Sequence, residues 1–83
     1  MDSFKFDDEI YTTIRKNIKR YRKDKGLTAA KLAEYVGVSH EFIRQLESKN
    51  KKYTLSVRTL YKISVVLDVS LDRLVRGDDF AQS

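Results

Sequence analysis

Four neighbouring side chains could carry hydrogen-bonding chemistry toward a nucleic acid: His40, Glu41, Arg44 and Gln45. On a helix, residues four apart share a face, so Glu41 and Gln45 project together, and Arg44 is turned from Gln45 by about 100°. Glutamine can bond adenine through two contacts, arginine can bond guanine likewise, and a carboxylate accepts from the cytosine amino group. Each has a plainer alternative. His40 either meets a base edge or phosphate, or is an idle surface histidine. Glu41 either reads cytosine or interacts with the positive end of its helix. Arg44 reaches guanine or a backbone phosphate. Phe42, between them, touches a thymine methyl or sugar, or packs against the start of the preceding helix.

The segment that would position them covers residues 27–47, LTAAKLAEYVGVSHEFIRQLE. It contains two short amphipathic patterns hinged on Gly37, which suits a left-handed turn position. Thr28 caps the first helix, whose inner face is Leu32 and Val36, with Ala33 where two backbones approach closely. Ser39 caps the second, with Ile43 and Leu46 inward. A helix over 40–48 would be about 13 Å long, the scale of a major groove about 12 Å wide. Two helices at a fixed angle, the second bearing polar readers, suit insertion into that groove.

Three further helices are predicted around this pair. The first begins near Asp7 or Asp8, carries Ile10, Ile14, Ile18 and Tyr21 as one inward stripe, and ends at Gly26. The fourth is capped by Ser56 and turns Leu60, Ile63 and Leu67 inward. Val69 closes the next turn, and Ser70 caps a last helix that buries Leu71, Leu74 and Val75 and stops at Gly77. The expected architecture is all-α: a compact five-helix domain over residues 7–77, with an N-terminal arm over 1–6 and a C-terminal tail over 78–83.

Composition narrows the function classes. The chain has 83 residues, 41% hydrophobic, with no proline and three glycines, which fits one helical domain. It has no cysteine, so disulfides and thiolate zinc sites are excluded, in keeping with a reducing cytoplasm. The single histidine makes a metal site a poor reading, and no cofactor is implied. Nothing approaches a membrane span of roughly 18–20 apolar residues, and the polar, acidic start is unlike a secretory signal. Without a glycine-rich phosphate loop or a clustered carboxylate pair, an enzyme is the weakest reading. The net charge is +5 and points to a polyanion. Residues 15–25 hold seven basic residues against Asp24, and Lys49, Lys51 and Lys52 form a second cluster suited to phosphates beside a groove. Each cluster could equally be a solvated face.

The order of these pieces resembles the Cro/XRE family of helix-turn-helix DNA-binding domains, which includes phage repressors. The resemblance runs from about Ile14 to Val75. It rests on residues 18–21 followed by KGLT, on KLAEYVGVS, on Leu46 with Glu47, and on SVRTLYKISVVLDVSLDRLV. It implies base contacts from His40, Glu41, Arg44 and Gln45. It implies phosphate contacts from Thr28, Ala29, Ser39, Phe42, Lys49, Lys51 and Lys52. An arginine of the first helix commonly pairs in this family with a glutamate ending the third, which here are Arg22 and Glu47. Two departures stand out. Ala29 replaces a glutamine that often braces the reading helix, and the basic loop is about two residues longer and lacks its usual glycine.

The expected function is therefore a sequence-specific double-stranded DNA-binding regulator, a repressor acting from the cytoplasm as a homodimer on a pseudo-palindromic operator. The dimer surface is placed by analogy at residues 66–70, with Phe4 or Phe80 auxiliary. The alternative is a protein-interaction module, such as the antitoxin of a toxin–antitoxin pair, with a partner held through the termini.

Overall fold

The computed structural model describes residues 7–48 and 55–76, with the side chains of 7–9 left aside. The arm, the lysine loop, Gly77 and the tail lie outside the described residues. Five helices follow in order: α1 (Asp7–Asp24), α2 (Ala29–Val36), α3 (His40–Leu46), α4 (Val57–Leu67) and α5 (Leu71–Val75).

Serine and threonine caps start the last four helices. Thr28, Ser39, Ser56 and Ser70 each hold an extended backbone and accept from the amide three residues on. Each hydroxyl satisfies an amide that has no partner within its own helix, a contribution of about 1 kcal/mol per cap. Gly37 ends α2 at φ 88°, where its amide and that of Val38 both donate to the Ala33 carbonyl, at 2.8 and 3.0 Å. No atom lies within 4 Å of where its Cβ would be. The demand for glycine there is purely one of backbone angle.

Ten apolar residues make the core: Ile14, Ile18, Leu32, Ala33, Val36, Ile43, Leu46, Ile63, Leu67 and Leu74. Every helix contributes, so α5, too short to persist alone, is held by docking. Four expectations shift. Ile10 is 40% exposed, because the first turns of α1 reach past the core, which begins at Ile14. The third helix ends at Leu46, not at 48, as the Glu47 backbone turns and its amide bonds the Ile43 and Gln45 carbonyls. The turn after α4 is made by Asp68 in the left-handed region, φ 59°, a conformation aspartate tolerates better than most residues. Leu71 and Val75 are only half-buried, leaving Leu74 as the fully buried residue of α5.

A polar residue inside the stripe of α1 closes the fold. Asn17 is 4% exposed, and its amide nitrogen donates to the carbonyls of Arg73, Leu74 and Arg76 at 3.1, 3.0 and 2.6 Å. These are carbonyls at the end of α5 that no helical amide can reach. One side chain thus caps a helix 56 residues away. Replacing it, Asn17→Ala, should lower unfolding stability by about 2–3 kcal/mol, the cost of stranding buried acceptors. Urea titration measures this, and a loss under about 0.5 kcal/mol would show that water substitutes for the amide.

Candidate nucleic-acid interface

Helix α3 is fixed at both ends. At its start, the Ser39 hydroxyl accepts from the Phe42 amide at 3.0 Å. Along its length, Ile43 and Leu46 are buried. At its end, Glu47 meets Arg22 of α1 in a two-pronged contact, with Nε to Oε2 at 2.8 Å and a terminal nitrogen to Oε1 at 2.9 Å. The other terminal nitrogen of Arg22 donates to the Leu27 carbonyl at 2.7 Å. Both side chains are about nine-tenths buried. Planar guanidinium and carboxylate satisfy one another best in this paired geometry. The end of α1, the approach to α2 and the end of α3 are therefore joined through one side chain.

Burying Ile43 and Leu46 turns the opposite face of α3 outward. His40, Glu41 and Arg44 are exposed, and Gln45 is partly so. Three of these four are bonded to one another. Glu41 accepts from the Gln45 amide nitrogen at 2.8 Å through one oxygen, and from Arg44 at 3.3 Å through the other. The spacing of Glu41 and Gln45 had indicated a shared face. The carboxylate engages both neighbours, for which i+3 and i+4 partners are the sequence signal.

The flanks are less polar than the face. Ala29 and Phe42 are partly buried against the core, so the ring of Phe42 lies against the body of the domain. Thr28 is exposed and its hydroxyl caps α2 by accepting from the Lys31 amide at 3.0 Å. Lys31 also extends to Glu34 at 3.4 Å and over the Tyr35 ring at 5.8 Å. On α1, Lys16, Lys19, Arg20 and Lys23 are exposed, and Arg20 lies over Tyr21 at 5.4 Å. Lys49, Lys51 and Lys52 fall outside the described residues. Among the described residues no group of three or more acidic, histidine or cysteine side chains is placed to hold a metal. None of the helices described is long and apolar enough to cross a membrane.

Comparisons with known proteins agree with this geometry. The sequence model of the helix-turn-helix family matches residues 18–74. The HTH-type transcriptional regulator SinR of Bacillus licheniformis is 39% identical over 66 residues, covering 80% of this chain and 59% of that protein. The chain thus spans about three fifths of that relative's length. A crystal structure of SinR, described as the master regulator for biofilm formation, in complex with DNA superposes with a TM-score of 0.70 at 40% identity, covering 76% of this chain and 98% of that one. A SinR/SinI protein complex matches with a TM-score of 0.72 at 37% identity, covering 82% and 65%.

The clamp makes a thermodynamic prediction. Glu47→Ala leaves a buried guanidinium without its counter-charge and should cost about 3–5 kcal/mol. The pair Arg22→Met with Glu47→Leu should cost less than the sum of the single changes, because no charge is stranded. Denaturant unfolding of the four proteins tests this, and strict additivity would mean that the two side chains do not act as a unit.

Proposed function

We propose a function from one premise: this chain belongs to the Cro/XRE family of helix-turn-helix DNA-binding domains. That family is a class of transcription-regulator domains and not of enzymes. The chain is a sequence-specific regulator of duplex DNA that places α3 in the major groove and represses by occupying its operator, in the cytoplasm. The observation that carries this reading is the outward face of α3. It presents His40, Glu41, Arg44 and Gln45 on a helix that the Arg22/Glu47 contact holds in place. Thr28, Ala29, Ser39 and Phe42 at the helix starts, with Lys49, Lys51 and Lys52, meet phosphates and fix the register. The likeness to SinR solved with DNA supports the reading.

One short reading helix discriminates few base pairs, so the regulator acts as a homodimer on two half-sites about one turn apart. For its surface we favour a face of α4 that lies beside the expected residues 66–70. Val66 and Val69 pack against the core and Leu67 is buried. The apolar residues α4 leaves outside are Val57, Tyr61 and Val65, each more than half exposed and spaced by four. Two such helices crossing antiparallel about a two-fold axis bring the two Tyr61 side chains together and set Val57 against Val65 of the second copy. A protein partner is the second reading, favoured by the likeness to SinR solved with SinI. Its expected place, the termini, lies outside the described residues.

Gel-shift titration on selected and random duplexes tests DNA reading. Gln45→Ala should erase preference at one base position, while Lys51→Ala should weaken all duplexes evenly and flatten the log–log salt slope by about 0.9. Equal affinity of the unaltered protein for every duplex would overturn specific reading. For the dimer, Tyr61→Glu should yield a monomer in sedimentation and weaken binding to a two-half-site duplex while sparing a single half-site. Unchanged sedimentation would move the dimer surface elsewhere.

A further inference from the structure

We infer that Glu41 is a positioning residue rather than a base reader: it fixes the side-chain amide of Gln45 so that Gln45 accepts adenine and rejects guanine. The inference rests on the DNA-reading function above and assigns the division of labour within that face.

The argument starts from what a carboxylate can do. An ionised carboxylate only accepts hydrogen bonds, so a glutamine amide 2.8 Å away must turn its nitrogen, not its oxygen, toward it. The reverse placement would set carbonyl oxygen against carboxylate oxygen, so the charge on Glu41 selects which way the amide faces. One of the two amide hydrogens of Gln45 is consumed in that bond. The remaining edge presents one acceptor, Oε1, beside one donor, the second hydrogen on Nε2.

This edge complements adenine and conflicts with guanine. Adenine offers a donor at N6 beside an acceptor at N7, while guanine offers acceptors at both O6 and N7. Against guanine, Gln45 would oppose Oε1 to O6, and it cannot rotate away without turning that oxygen onto Glu41. With Glu41 absent, both amide hydrogens are available and the side chain can donate to guanine. The second oxygen of Glu41 holds Arg44 at 3.3 Å, which sets a cation beside the carboxylate. Both carboxylate oxygens thus have partners on α3 itself.

The test compares the unaltered chain with Glu41→Ala and Glu41→Gln on duplexes differing only at the base pair whose preference Gln45→Ala removes. The adenine-over-guanine affinity ratio should fall roughly tenfold in both variants, the scale of one good base contact. Glu41→Gln keeps the shape but can donate or accept, so a lost ratio there marks the locking of the amide and not bulk. In the free protein, one side-chain amide proton of Gln45, the one bonded to Glu41, should be shifted downfield and exchange more slowly than in an unbonded glutamine, and both signatures should vanish in Glu41→Ala. An unchanged ratio in Glu41→Ala overturns the proposal. So does a lost cytosine preference at a different position, which would make Glu41 a direct reader. If Gln45→Ala removes no base preference while the protein still prefers some duplexes, this inference falls and the DNA-reading function stands. Equal binding to every duplex removes both.

Discussion

The bidentate contact between Arg22 and Glu47 is the constraint on which the rest of the arrangement depends. Helix α3 is seven residues long, too short to be stable by itself. Its inward face supplies only Ile43 and Leu46 to the core. Two apolar anchors can fix depth but leave a short cylinder free to rock. The guanidinium removes that freedom by holding the far end of α3 to α1, and its third contact, to the Leu27 carbonyl, ties in the residue just before the α2 cap. A buried ion pair of this kind adds little net stability compared with apolar packing. What it contributes is orientation, because paired planar groups tolerate little rotation.

The polar groups of the interior follow the same logic. Asn17, Arg22 and Ser64 are the buried polar residues among those described, and each side chain has a named acceptor. Ser64 donates to the Tyr61 carbonyl one turn back at 2.6 Å. No buried side-chain nitrogen or oxygen is left without a partner among the described residues. In a domain with a core of ten apolar side chains, such contacts contribute more to uniqueness of the fold than to its depth of stability.

Much of this was legible in the residues. Caps at Thr28, Ser39, Ser56 and Ser70, and the glycine at 37, are local signals, because each acts on amides or carbonyls within a few positions. The five helices followed from them, as did the inward residues of α2 and α3. What escaped was non-local. Asn17 reads as a polar residue beside an apolar stripe, and nothing within ten positions says that it caps α5. Ile10 fits the period of its helix, yet burial needs a neighbour as well as a period. The outward face of α4 was hidden for a related reason: Val66 and Val57 are the same residue type, and only packing decides which faces outward. On the outward face of α3, the four residue types suggested contacts to bases. Their bonds to one another had to be seen in three dimensions.

The cap supplied by Asn17 also bears on how the chain is made. A ribosome delivers α3 before it delivers residue 76, so for that interval the Asn17 amide has water in place of the carbonyls it caps in the finished fold. The carbonyls that complete it are the last backbone groups of the domain to emerge. Isolated helices as short as α2 and α3 do not persist in water, so an unfinished chain has the residues of α3 but no rigid frame to hold them.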